Sequence, residues 1–211
     1  MSTLLYINAN PLEPHESMSL AAGEAFLDAY REARPQDEIV RVDLYRSFVP
    51  ALDADILRGW NELRGGASFE SLPADAQRKI GRLNEIVDQF LAADKYVFVS
   101  PMWNFSYPPV LKAYLDSLCA AGKTFRYTAE GPVGLVVGRK ALHVQASGGV
   151  YAEAPASASD FGHHHLRGVL GFIGVDAVER FAVEGHNQFP DRRDAILSAA
   201  IDRAKTLARQ W

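Results

Sequence analysis

Sulfur is scarce in this chain: Cys119 is its only cysteine among 211 residues. A lone thiol forms no intrachain disulfide and no thiolate metal cage, so the fold rests on its core and suits a reducing compartment. Long apolar runs are missing as well. No stretch approaches membrane-spanning length, and the opening MSTLLYINANPLEP lacks both a basic start and an apolar run long enough for a secretion signal. A cytoplasmic protein is the expectation. Positive charge is not in surplus either, since 22 Lys and Arg face 26 Asp and Glu for a net charge of -4. The phosphates of a nucleic acid or an anionic membrane would be repelled rather than attracted. Two catalytic fingerprints are absent: there is no GxSxG for a serine hydrolase, and no GxGxxG after the first expected strand for tight dinucleotide binding. Gly122-Lys123-Thr124 has the look of a P-loop tail, but Ser117 stands where that motif requires glycine.

What is present is organised around Tyr96 to Asp116. Tyr96, Val97, Phe98, Val99 and Ser100 form an unalternating β-branched and aromatic run, as in a strand covered on both faces. Pro101 ends it. Met102-Trp103-Asn104-Phe105-Ser106 then puts two large aromatics and a thioether at the strand tip, and Pro108-Pro109 starts a helix carrying Val110, Leu111, Tyr114, Leu115 and Leu118. Apolar side chains at the carboxyl end of a central parallel strand mark the place where open α/β sheets bind flat ligands. Packing of Met102, Trp103 and Phe105 against a neighbouring loop is the alternative.

The remaining elements arrange themselves around that strand. Leu4 to Asn8 opens the chain as a strand, and a turn-rich loop from Ala9 leads to a helix bearing Leu20, Ala21, Phe26, Leu27 and Tyr30 and ending near Pro35. Ser17 and Ser19 sit where that helix would begin, and a strand-to-helix joint of this kind offers free N–H groups and a dipole to a phosphate. Ordinary helix capping by serine is the competing explanation, and Glu16 opposes an anion unless its carboxylate turns away. Ile39 to Leu44 is a second strand. Val49 to Ser71 is expected to form a partly helical excursion over the site or over a partner subunit, and a helix with Ile80, Leu83, Ile86, Val87, Phe90 and Leu91 on one face follows Pro73. Beyond Leu118, Phe125 and Tyr127 with Thr128 to Gly134 make an extended detour. Ala141 to Gln145 is a fourth strand with Ala146-Ser147-Gly148-Gly149 at its tip, where paired glycines permit positive φ and close approach of a ligand. Leu166 to Ile173 is a helix ended by Gly174, Ala177 to Val183 a fifth strand, and Asp191 to Arg209 a last helix. Alternating strands and helices without repeats or a linker predict one α/β domain over 1–211, a flavodoxin-like five-stranded parallel sheet with helices on both faces.

Some residues invite a chemical role without defining one. His163, His164 and His165 are consecutive, and neighbours on a helix point about 100° apart, so their rings cannot converge on one metal ion. No metal site is expected. Cys119 is placed on the apolar side of its helix as a small hydrophobe. Tyr151 is the one weak candidate for a side chain acting on a bound ligand, with a core or interface role as its alternative.

Taken together, Pro101 to Lys112, the Gly122 to Thr128 run with Glu130-Gly131-Pro132, and Gln145 to Tyr151 resemble the FMN-dependent NADH azoreductases, also called FMN-dependent NADH:quinone oxidoreductases. The likeness runs from Leu4 to the C-terminus. It implies a homodimer with tightly bound FMN at the subunit interface and NADH as co-substrate. Hydride would pass from NADH through the flavin to a quinone or azo acceptor in two half-reactions, with no protein acid or base required. Carried over to this chain, Asn10, Ser17, Met18 and Ser19 would hold the phosphate, Pro101, Met102, Trp103, Asn104 and Phe105 would line the ring system, and Ala146, Ser147, Gly148 and Gly149 would close its other side. The chain departs from many members of the family at Asn10, where serine is common, and at Ser147, where arginine is common. An electron-shuttling flavodoxin and a flavin-free regulatory protein of the same fold are the rival expectations.

Overall fold

The unbroken apolar run at Tyr96–Val99 is explained by burial on both sides in the computed structural model, which describes residues 1–211. Strand β3 (Lys95–Pro101) lies at the centre of a five-stranded parallel sheet with β1 (Thr3–Asn8), β2 (Glu38–Asp43), β6 (Lys140–Ser147) and β7 (Ala177–Glu184), in the order β2-β1-β3-β6-β7. Because successive side chains leave a strand on opposite faces, Tyr96 and Phe98 enter one core while Val97 and Val99 enter the other. Helices α3 (Ala74–Ala92), α4 (Pro109–Leu118) and α5 (Phe161–Ile173) cover the first face, and α1 (Met18–Ala33) and α6 (Arg193–Gln210) the second. No helix is long and apolar enough to cross a membrane.

The expected excursion after Val49 contains helix α2 (Ala54–Arg64), which packs on α3 through Ile56, Leu72, Ile80 and Leu83. The detour after Leu118 is an antiparallel hairpin, β4 (Phe125–Thr128) with β5 (Gly131–Gly134). Thr124, from the rejected P-loop likeness, is buried and donates its hydroxyl to the Leu118 and Ala120 carbonyls. Two boundaries differ from expectation. Strand β6 continues through Ser147, and α5 begins at Phe161 with Asp160 as its N-cap, five residues before the first apolar repeat at Leu166. Polar residues buried inside both elements hid these ends from a hydrophobic pattern. Cys119 requires a correction: it is the C-cap of α4 and exposed, because the helix stops at Leu118 and the chain turns outward there.

Candidate functional site at the carboxyl edge of the sheet

Parallel register sets the carboxyl ends of β1, β3 and β6 side by side. Asn8 is level with Val99, Pro101 with Ala146, and the ladder extends past the strands through Ala9 N–H to Val99 O (2.9 Å) and Met102 N–H to Ala146 O (2.6 Å). The three loops singled out in the sequence, contributed by residues far apart in the chain, therefore leave the sheet along one edge.

At the first loop, Ser17 caps α1 with its hydroxyl oxygen accepting from Leu20 N–H at 3.3 Å. The same oxygen accepts from the Asn10 amide at 2.7 Å, which also reaches Ser19 Oγ at 3.2 Å, and the two hydroxyls lie 3.1 Å apart. All three residues are buried. Asn10 thus acts as a neutral double donor. One of the two hydroxyl protons serves the bond between the serines, which leaves the other to point outward beside the amides of Met18 and Ser19, which no carbonyl of the helix can reach. Capping, one of the two roles posed by the sequence, is present at Ser17. Glu16 turns back to accept from Glu13 N–H at 3.1 Å.

At the second loop, Trp103 and Ser106 exchange backbone hydrogen bonds of 2.7 and 3.0 Å around Asn104 and Phe105, whose φ values are +49° and +69°. A phenylalanine in the left-handed region is strained, and such strain collects at functional sites. The turn is clamped from outside by Gly162 N–H, which donates to Phe105 O at 3.2 Å. Trp103 and Phe105 are left 41% and 50% exposed, too much aromatic surface to be explained by packing within the chain. The Asn104 side chain makes no hydrogen bond to the rest of the chain.

The third loop corrects the glycine argument. Neither Gly148 nor Gly149 has positive φ, and Ala146 and Ser147 still belong to β6. Gly148 is required by close approach to protein instead: an added Cβ would lie 2.7 Å from Asn187 Nδ2. Gly148 O accepts from Asn187 N–H and Gln188 N–H, and Gly185 N–H donates to Ser147 O and Gly149 O. Tyr151 is half-buried with its ring edge-on to Phe105, centroids 6.3 Å apart. The last residue of β7 and the turn after it, Glu184 to Gln188, are the part of the site that sequence reasoning missed. With Glu179 and Arg180 also in β7, a further polar residue at its end gave no distinctive signal.

Behind these loops a polar layer lies between the sheet and α5. Ser100 Oγ is 3.0 Å from His143 Nε2, and His143 Nδ1 is 3.3 Å from His163 Nδ1. The other two histidines diverge, His165 pairing with Tyr107 Oη while His164 is exposed. Burial pushes His143 well below the usual imidazole value and lowers His163 from 6.5 to about 4, against the opposing pull of Asp160. Both rings are therefore neutral in the folded protein, while in the unfolded chain they take up protons below 6.5. Stability should fall as pH drops from 6.5 towards 4, at up to 1.4 kcal/mol per unit for each ring by the linkage rule, an order-of-magnitude ceiling. Urea denaturation at pH 7.5 and 5 checks this, and His163→Asn should flatten the difference; a variant as acid-sensitive as the parent would refute the assignment.

An open parallel sheet in this strand order, with neutral buried donors at a helix N-terminus and exposed aromatics at neighbouring strand tips, defines a flavodoxin-like protein. Comparison with known proteins agrees: the family profile described as "Flavodoxin-like fold" matches residues 2–208. The chain is 51% identical over 211 residues to the FMN-dependent NADH:quinone oxidoreductase of Bacillus pumilus and 49% identical to that of Geobacillus kaustophilus, with all of each chain covered. Among solved structures it resembles an azoreductase from Bacillus anthracis (TM-score 0.92, 37% identity, all of both chains covered). It is also similar to an FMN-dependent NADH-azoreductase from Bacillus anthracis solved in complex with FMN (TM-score 0.93, 31% identity, 100% of this chain and 99% of the other). The chain belongs to the FMN-dependent NADH:quinone oxidoreductase family, within the flavodoxin-like fold.

Proposed function

We propose that this protein is an FMN-dependent oxidoreductase that draws electrons from NADH and reduces quinones and azo compounds. The observation that carries the reading is the convergence of the Asn10–Ser17–Ser19 cradle and the Trp103–Phe105 turn on one sheet edge. Their chemistry fits FMN: neutral donors at a helix N-terminus suit a phosphate, and half-exposed aromatics suit a flat ring system. FMN, when bound, supplies hydride chemistry that no side chain of this protein provides.

The chain's own work is to bind, orient and shield. Ser17, Met18 and Ser19 would hold the phosphate through backbone amide and hydroxyl donors, with Asn10 orienting the two hydroxyls. Pro101, Met102, Trp103, Asn104 and Phe105 would present the platform for the ring system, and Ala146, Ser147, Gly148 and Gly149 would bound it from the neighbouring strand tip. With serine at 147, this side carries no cation. Tyr151 extends the aromatic wall beside Phe105. No acid or base is assigned, and the buried imidazoles of His143 and His163 are held neutral at physiological pH.

The reading extends to a homodimer of single-domain subunits acting in the cytoplasm. Exposed aromatics support the assembly: Tyr127, on strand β4 of the hairpin, is 74% exposed, and it borders an apolar hollow of about 690 Å³ with Trp60, Leu63, Val87 and Phe125. Surfaces of this kind on a single chain ask for a partner.

A visible absorption spectrum of the purified protein, taken before and after anaerobic addition of NADH, tests the function. A yellow protein bleached by NADH and recoloured by a quinone is expected. Protein that stays colourless after FMN is added would remove the proposal, and bleaching without turnover on any small acceptor would favour an electron shuttle.

A further inference from the structure

The loop Gly148–Ala152 borders the proposed flavin edge, yet it has no regular structure to hold it. Its two outermost amides end on one side chain. Tyr151 N–H donates to Glu184 Oε1 and Ala152 N–H to Glu184 Oε2, both at 3.1 Å. Glu184 is itself locked, because Arg180 Nη2 lies 2.7 Å from its Oε1 and 2.9 Å from Asp160 Oδ2. Gln145 completes the clamp by donating to Asp160 Oδ1 at 3.0 Å. A single guanidinium thus ties β7 to the N-cap of α5, with the three charged side chains only 19% (Arg180), 11% (Glu184) and 4% (Asp160) exposed. A carboxylate kept out of water in this way is expensive unless both its oxygens have work, and here each receives a backbone amide.

We infer that Glu184, locked by Arg180, is a positioning residue for the aromatic edge of the site: it fixes the backbone at Tyr151 and so sets the wall that Tyr151 and Phe105 form. Fixing Tyr151 N–H fixes the Cα from which its ring meets Phe105 edge-on. Deleting the lock leaves the sheet intact and loosens the wall. The kinetic part of this inference rests on the flavin reading; the structural part does not.

Amide hydrogen exchange on the full chain, without and with FMN, tests the lock directly. In the unaltered protein the Tyr151 and Ala152 amides should be protected like those of the β6–β7 ladder despite lying in a loop. Glu184→Gln keeps the shape but only one acceptor oxygen, so exchange at this pair should quicken at least about tenfold, the loss of one charge-assisted hydrogen bond. Arg180→Lys, which keeps one cation, should fall between. In the FMN-loaded enzyme Glu184→Gln should raise the quinone KM about tenfold while kcat changes less than about threefold, a tenfold change corresponding to about 1.4 kcal/mol. Free-loop exchange at Tyr151 and Ala152 in the unaltered protein overturns the inference even if no variant folds. A Glu184→Gln protein that merely melts earlier, with exchange and acceptor KM unchanged, shows a structural role alone and also overturns it. A colourless protein with the exchange pattern intact would sink the flavin reading while leaving the lock standing.

Discussion

Asn10→Asp should leave the chain folded and strip it of flavin. The substitution is isosteric, so Leu12 N–H keeps its 3.0 Å acceptor and the loop keeps its shape. Two things reverse. The Asn10 amide that now donates to Ser17 and Ser19 becomes a carboxylate oxygen, which draws both hydroxyl protons inward and leaves none for an anion. It also brings a negative charge to the phosphate cradle. Two unit charges about 5 Å apart at an effective dielectric of about 20 repel by about 3 kcal/mol, and a phosphate monoester carries more than one charge. FMN affinity should drop at least about a hundredfold. Asn10→Ser, which keeps a neutral donor, should cost less than about tenfold. Fluorescence titration of apoprotein with FMN gives both numbers, and circular dichroism confirms that each variant is folded. An Asn10→Asp protein that purifies yellow with unchanged affinity would contradict the phosphate role of the cradle.

Gly134→Ala should be among the most destabilising single-methyl additions in the molecule. A Cβ at this position would overlap the backbone at Ile173 and Gly174, coming 2.6 Å from Gly174 Cα. Backbone cannot step aside as a side chain can. The contact is where the hairpin docks on the end of α5, next to the Val136 N–H to Ile173 O bond of 2.9 Å. Overpacking against a rigid neighbour costs about 3 kcal/mol, which for a chain of this size lowers Tm by roughly 10 °C. Gly168→Ala provides the contrast, since an added methyl there meets nothing within 4 Å and removes a helical glycine. It should be neutral or stabilising by up to about 1 kcal/mol. Phe125 and Tyr127 ride on the same hairpin, so in the proposed homodimer Gly134→Ala should also weaken self-association in sedimentation experiments. Equal melting temperatures for the two variants would dismiss the close approach.

Hydrophobic pattern was enough for the architecture because the sheet is buried on both faces: a strand with two apolar environments must read as Tyr96–Val99 reads, and a helix packed on it must carry apolar residues at helical spacing, as Ile86 and Phe90 of α3 and Leu111, Leu115 and Leu118 of α4 do. Parallel strands put their carboxyl ends on one edge, which placed the Ser17, Asn104 and Gly148 loops together, while the order β2-β1-β3-β6-β7 came from the tertiary structure. Local chemistry was equally legible at Ser17, which caps α1, and at Gly174, which ends α5 at φ +107°.

Contacts between residues distant in the chain were decided only by the tertiary structure. That Asn10 is the hub of the cradle, that Gly148 is glycine because of Asn187 rather than its own φ, and that Glu184 receives the amides of Tyr151 and Ala152 depend on which elements lie side by side. Hydrophobic period records whether a residue faces water, not what a buried polar atom touches, so the layer formed by Ser100, His143, His163, Asp160 and Arg180 left no readable trace. Hydrogen bonds are directional and short-ranged, and their partners exist only once the backbone has folded to bring them within 3 Å or so.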